Sequence, residues 1–296
     1  TAWRPCKPWR SWSEVVSESR NRHASAVKRM SDSPWRLLRD PPGHGAWNMA
    51  IDEAIARAVG EGRAPSTLRF YGWCEPTVSL GYLQRSSGAV DRAACGRLGV
   101  AIVRRPTGGR AVLHARELTY SAAVPTDGPW GGLAVDESFS RMGQALVAGL
   151  RRLGVVATIG EGNAERSASS RTDVCFQMRR VPAILVSGRK LVGSAQRRWG
   201  KALLQHGSLL LEFDAAMHQA VFPAWPRSDP TGKVTWLAAL LDRMPPRGAV
   251  EAALVTGWSE MTGAVCTPGT LLPEERRAAA AMVRARHGDP AWTFQR

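Results

Sequence analysis

A thiol and an amine stand 15 residues apart in this chain, at Cys175 and Lys190. A thiol becomes a nucleophile when a nearby cation or base stabilises its thiolate, and a strand and a turn can fold back across that separation. Lysine can also lose its proton when desolvated, which arginine cannot. Its use at 190 stands out, because only five of the 40 basic residues are lysine (Lys7, Lys28, Lys190, Lys201 and Lys233). The plain alternatives are an inert core thiol and a solvated surface ammonium. The core-thiol reading is the one kept for Cys6, Cys74, Cys95 and Cys266.

Three other segments carry chemistry. In Arg104-Arg105-Pro106-Thr107-Gly108-Gly109-Arg110-Ala111-Val112-Leu113-His114, paired glycines let a backbone approach a ligand with its amides exposed as anion donors. Arg105 and Arg110 flank that turn, where they can hold a phosphate or a carbonyl oxygen. An ordinary Gly-Gly hairpin with solvated arginines is the alternative. In Ser187 to Gln196, a turn at Ser187-Gly188 launches a strand whose alternate residues include Lys190 and Val192. Its Gly193, Ser194 and Ala195 are small, as needed where a substrate lies against the backbone, and Gln196 follows. In Leu204-Gln205-His206-Gly207-Ser208, alternation directs Gln205 and Gly207 to one face and His206 and Ser208 to the other. His206 and His114 are each candidate bases or hydrogen-bonded structural histidines. No GK[ST] phosphate loop, HExxH or serine–histidine–aspartate order is present.

The elements that must position these residues follow from periodicity. A helix is expected from Asn48 as its cap, with Asp52 and Glu53 in the first turn and Ile51, Ala54, Ile55, Ala58 and Val59 on one face. Further helices are expected over 90–98, 135–153, 234–241, 250–261 and 273–286. Strands are expected over 67–71, 77–80, 100–104, 111–113, 118–124, 183–186, 190–196 and 203–213, with a polar loop over 159–173. The order predicts one α+β domain over 34–296, a mostly antiparallel mixed sheet with flanking helices and a helical C-terminal region from about 215. Residues 1–33, rich in Arg, Ser and Trp, read as a disordered extension; their scarcity of acids also fits a transit peptide.

Composition narrows the class. With 44% hydrophobic and 22% charged residues the chain falls among soluble globular proteins. No apolar run approaches the roughly 18 to 20 residues of a membrane helix. Five scattered cysteines without a CxxC pair argue against a disulfide framework or a zinc knuckle and for reduced thiols in the cytoplasm. The net charge of +15 suits nucleic acid, an acidic protein partner, or merely a solvated basic surface.

Taken in order, the motifs resemble the biotin/lipoate protein ligase family and, within it, the LipM-type octanoyltransferases. The resemblance runs from about Trp35 to the C-terminus. It is carried by Asn48-Met49-Ala50-Ile51-Asp52-Glu53-Ala54, Arg104 to His114, Glu117-Leu118-Thr119-Tyr120-Ser121, Cys175-Phe176, Gly188 to Gln196 and Gln205-His206-Gly207-Ser208. ATP-dependent lipoate ligases of this family usually have a third glycine where this chain has Arg110, and generally no cysteine at the position of Cys175. One departure is the segment Gln177 to Ala183, where the family usually has a Pro-Ser-x-Tyr-Glu run.

The resemblance implies that Cys175 carries an acyl thioester and that Lys190 lowers its pKa. It implies octanoyl-acyl carrier protein as donor and the lysine of a lipoyl-domain protein, the glycine cleavage H protein, as acceptor. Neither ATP nor a metal cofactor is expected, and neither a membrane nor a nucleic acid as partner. Amides near Gly108-Gly109 or Cys175 are expected to stabilise the oxyanion, and a groove of residues such as Val112, Leu113 and Val192 to bury the acyl chain. An ATP-dependent lipoate ligase, a basic nucleic-acid-binding protein and a non-catalytic homologue remain the alternatives.

Overall fold

The computed structural model describes residues 34–160, 183–225 and 232–296. The extension 1–33, Cys175 and all of the polar loop after Gly160 lie outside the described residues. The first elements are β1 (Trp35–Arg39), α1 (Gly45–Gly60), β2 (Thr67–Tyr71), β3 (Thr77–Leu80), α2 (Arg92–Leu98), β4 (Ala101–Arg104), β5 (Val112–His114) and β6 (Glu117–Pro125). Next come α3 (Val135–Arg152), β7 (Thr158–Gly160), β8 (Ala183–Val186), β9 (Arg189–Trp199), β10 (Ala202–Leu210) and α4 (Ala215–Val221). The chain ends with α5 (Arg247–Thr262), β11 (Cys266–Pro268), α6 (Pro273–Met282) and α7 (Pro290–Thr293).

An eight-stranded sheet in the order β11-β1-β2-β6-β10-β9-β8-β7 forms the centre, and a three-stranded sheet β4-β3-β5 stands beside it. Pairing is antiparallel except at β1–β2, β1–β11 and β3–β4, so the expected α+β class holds. α3 and α5 cover one face of the large sheet, over a core that includes Leu68, Phe70, Leu146 and Trp258. Their close crossing requires glycine, because a Cβ on Gly257 would lie 2.1 Å from the backbone nitrogen of Gly149. α1 covers the opposite face through Ile51, Ile55 and Val59, with Ala279 of α6 behind it.

Four expectations about the elements need correction. The first helix begins at Gly45 with His44 at its N-cap and no side-chain cap. Asn48 instead donates through its amide to the carbonyls of Gly43 and Gly72, and Asp52 lies wholly buried within the helix. The expected helix over 234–241 shrinks to a 3-10 turn, Leu237–Ala239. Its first residues run instead alongside β9, where Lys190 N–H donates to Lys233 C=O and Thr235 N–H to Lys190 C=O. Gly108-Gly109 is no hairpin, since β3 lies between β4 and β5. The strands β1, β7 and β11 were not expected.

The C-terminal segment is tied to α1 by ionic contacts. Glu53 of α1 accepts from His287 and Arg57 and pairs with Arg286. Burial pushes the Glu53 carboxyl up, but the hydrogen bonds of His287 and Arg286 more than offset this and bring its pKa down to about 2. A carboxyl depressed on folding contributes stability above its unfolded pKa and loses it as pH falls toward the folded value. In the wild type, urea stability should drop by about 3 kcal/mol between pH 5 and pH 2 on account of this one group. In Glu53→Gln that part of the slope should vanish; an unchanged pH dependence would show that the ties do not hold in solution.

Candidate active site

Two rungs of the large sheet build the site. In the first, Arg69, Ser121, His206 and Ala195 stand opposite one another on β2, β6, β10 and β9. In the second, Tyr71, Thr119, Ser208 and Gly193 do the same. These side chains face α1 and the small sheet. Polar residues can be buried in strands covered on both faces only if each finds a partner, and here they do so in two carboxylate-centred networks.

Asp52 of α1 anchors one network. Its Oδ1 accepts from Arg69 at 2.7 Å and Ser121 at 2.8 Å. Its Oδ2 accepts from Tyr71 at 2.8 Å and faces His206 Nδ1 at 2.9 Å. The other imidazole nitrogen of His206 meets Thr107 Oγ1 at 2.6 Å, so the ring ties α1 to the loop beside the two glycines. Burial pushes the Asp52 carboxyl up, and the His206 hydrogen bond and the Arg69 charge more than offset it, holding it below the ordinary carboxylate range. For His206, burial is the largest influence and lowers its pKa despite the Asp52 contact.

Glu117 anchors the second. Its Oε1 accepts from His114 Nδ1 at 2.7 Å, Thr119 at 2.6 Å, Ser208 at 2.7 Å and Trp73 at 3.2 Å. Its buried Oε2 has no hydrogen-bond partner among the described residues. His114 stacks on Trp73 with centroids 4.0 Å apart, and its Nε2 meets Ser79 Oγ at 2.7 Å. Burial raises the Glu117 carboxyl, but His114 and the two hydroxyls outweigh it and hold the group ionised.

Between the networks opens a cavity with about 370 Å³ of free space, mouth included. Of the residues singled out from sequence, Arg105, His114, Gly193, Ser194, Ala195, His206 and Gly207 line it. Gly207 leaves no room for a side chain, since a Cβ there would sit 2.5 Å from the Gly193 carbonyl. Gly108, Gly109, Arg110 and Gln196 are not on its wall. Gln196 hydrogen-bonds Ser138 and Gln205 on the α3 side of the sheet. Of the three expected groove residues Val112 lines the cavity, whereas Val192 belongs to the core under α3 and α5 and Leu113 packs in the core of the small sheet.

Arg105 binds backbone carbonyls on both sides of its turn. Its guanidinium donates to the carbonyls of Gly108, Arg110 and Ser79 and to Ser79 Oγ, so it braces its own loop. That loop is pressed onto β3: a Cβ on Gly81 would fall 1.9 Å from the Gly109 carbonyl, and Gly109 itself has φ +92°.

Lys190 is buried, 7% exposed. Simple alternation would place it with Val192 on the α3 side, but the β8–β9 register shifts between Ile184 and Leu185. Leu191 and Val192, though adjacent, both join the core under α3 and α5. A bulge of this kind resets the alternation, and Lys190 turns to the face that carries Gly193, Ala195 and His206. It is not on the wall formed by the described residues, and its distance from Cys175 lies outside them. Burial pushes the Cys95 thiol up to about 11 and raises that of Cys266, as befits unreactive thiols, whereas Cys74 is exposed and is not the core thiol expected.

Sequence reading left Asp52 as a helix-terminus charge and gave no role to Ser79, Arg69, Tyr71 or Trp73. The one signal available was an acidic residue inside an apolar helical stripe.

Known proteins are similar to this chain over most of its length. The lipoyl protein ligase A/B catalytic domain family matches over residues 44–259. The chain is 40% identical over 272 residues to the octanoyltransferase LipM of Kyrpidia tusciae, covering 88% of this chain and 99% of that protein. It is 37% identical over 276 residues to the octanoyltransferase LipM of Symbiobacterium thermophilum, covering 90% and 100%. Among solved structures it is similar to the bi-partite lipoate protein ligase of Thermoplasma acidophilum, with a TM-score of 0.74, 25% identity, and coverage of 88% of this chain and 96% of that one. With its fold and these full-length relatives agreeing, the chain belongs to the lipoyl protein ligase A/B catalytic domain family.

Proposed function

We propose that the chain is a protein N-octanoyltransferase of lipoate assembly that works without ATP or metal, in the cytoplasm. The octanoyl group passes from the thioester of an acyl carrier protein to Cys175, and then to the lysine of a lipoyl-domain protein such as the glycine cleavage H protein. Full-length similarity to octanoyltransferases is the main support.

Each residue has a physical task. Lys190 stabilises the Cys175 thiolate. The thiolate attacks the carrier thioester, carrier thiol leaves, and an acyl-enzyme remains. Gly193 and Ala195 leave space against the backbone for the acyl chain, beside Met49, Trp73 and Val112. The exchange of thioester for amide runs downhill. The net charge of +15 steers acidic carrier and lipoyl domains, an attraction that weakens with salt.

Mixing the protein with octanoyl-acyl carrier protein should add one octanoyl mass, labile to hydroxylamine, and adding a lipoyl domain should move that mass to the domain in the absence of ATP. Transfer of free lipoate only when ATP is supplied would overturn the reading in favour of a ligase.

A further inference from the structure

The two histidine–carboxylate pairs are alike in geometry but differ in charge. Asp52 shares its negative charge with Arg69, a direct ion pair at 2.7 Å, before His206 meets it. Glu117 receives hydrogen bonds from Trp73, Thr119 and Ser208, all neutral, and His114 is its one ion-pair partner among the described residues. Its second oxygen, buried and without a hydrogen bond among the described residues, adds no further donor to offset that charge. Glu117 thus sets an unshared negative charge 2.7 Å from His114, whereas the Asp52 charge facing His206 is shared with Arg69.

The hydrogen bonds of His114 also run in one direction. The ionised Glu117 accepts, so Nδ1 carries the proton and the neutral ring presents a lone pair at Nε2 to Ser79 Oγ. Arg105 donates to the same Ser79 oxygen at 3.0 Å, which leaves the Ser79 proton directed at His114. Ser79 and His114 both line the cavity.

We propose that Ser79, His114 and Glu117 form a proton relay that takes the first proton from the ammonium of the acceptor lysine, so that its nitrogen can attack the bound acyl group. The idea rests on the acyl-enzyme reading above. The ammonium gives a proton to Ser79 Oγ while Ser79 gives its own to His114 Nε2. The neutral nitrogen forms the C–N bond and the C–S bond breaks. The surplus proton on nitrogen goes to the departing sulfur, and His114 releases the first to water. Acyl thioester plus ammonium thus become amide, thiol and one proton.

The other titratable groups around the ring do not compete. Arg105 reaches it through Ser79, and His206 and His218 lie near enough to sense its charge. Burial brings His218 down to about 4, so it stays neutral, and burial keeps the nearby Tyr71 hydroxyl protonated.

The test compares two nucleophiles on octanoyl-enzyme made from octanoyl-acyl carrier protein: a lipoyl-domain lysine, which arrives protonated, and hydroxylamine, which is already neutral at pH 7. Glu117→Gln and Ser79→Ala should each slow lysine transfer about 100-fold relative to hydroxylamine cleavage at pH 7. That gap should close as pH rises toward 10, near the ordinary lysine pKa of about 10.4. Two variants guard against one failing to fold, and acyl-enzyme formation reports folding in each. Equal slowing of both nucleophiles at every pH would reduce the network to scaffolding and overturn the relay alone. A wild-type protein that never becomes acylated would remove the acyl-enzyme reading and the relay with it.

Discussion

Octanoyl-acyl carrier protein should leave Cys175→Ala without any acyl adduct, and no octanoylated acceptor should accumulate above background. This is the largest effect expected of any substitution, because the alanine offers no atom to hold the thioester. The partner variant is more diagnostic. An unperturbed thiol, with a pKa of about 8.5, is only a few per cent thiolate at neutral pH. If Lys190 supplies the charge that raises this fraction, Lys190→Met should slow acylation roughly 10- to 30-fold at pH 7 and recover most of the loss by pH 9.5, where the thiol ionises unaided. Methionine keeps the volume of the buried stem, so packing should survive. A rate deficit independent of pH, or an adduct that persists in Cys175→Ala, would sink the assignment. The burial of Lys190 makes the pairing physically reasonable, since a buried ammonium is stable only opposite an anion or strong acceptors.

Much of the sheet was legible because its strands are bounded by turns and carry β-branched and apolar runs. β9 and β10 illustrate this: their polar residues alternate, and the alternation correctly parted Gln205 from His206. β1 was not legible, since Trp35 to Leu38 are all buried on a strand covered on both faces and show no period. β11 is three residues long and mostly exposed, so it has no pattern to read. The start of α1 was misplaced for a related reason. His44 caps it without a side-chain bond, so the nearest residue of capping type, Asn48, drew the boundary inward.

For the site, three of the segments read from sequence meet at one cavity, but sequence did not show which atoms meet. Gly193, Gly207, His114 and His206 could be named because they stand in the motifs that carry the family resemblance, although each histidine also had a structural reading. The partners that orient them come from elsewhere in the chain. Ser79 is 35 residues from His114, and Asp52 is 154 from His206. Spacing cannot encode contacts made across sheet rungs and between two sheets. The bulge that turns Lys190 was equally hidden, because nothing in Arg189-Lys190-Leu191-Val192 departs from strand composition.

Arg69→Met should be among the most destabilising single substitutions in the fold. Arg69 is 1% exposed, bridges Asp40 and Asp52 at 2.7 Å each, lies over the Tyr71 ring at 4.0 Å and bonds Asn48. Removing it leaves the fully buried Asp52 carboxylate with only hydroxyls and His206, and loss of one partner of a buried pair costs about 3 to 5 kcal/mol. Urea midpoints at pH 7 measure this directly. Asp52→Asn added to Arg69→Met removes the stranded charge and should restore part of the loss, so the double variant ends up less destabilised than the sum of the two single variants. His206 supplies a second reading. With Arg69 gone, the uncompensated Asp52 charge should favour the imidazolium and raise the His206 pKa, visible by NMR titration of its ring. A cost below about 1 kcal/mol together with an unmoved His206 would mean that Asp52 simply takes up a proton when Arg69 is lost. The first sheet rung would then be held by packing, and not by charge.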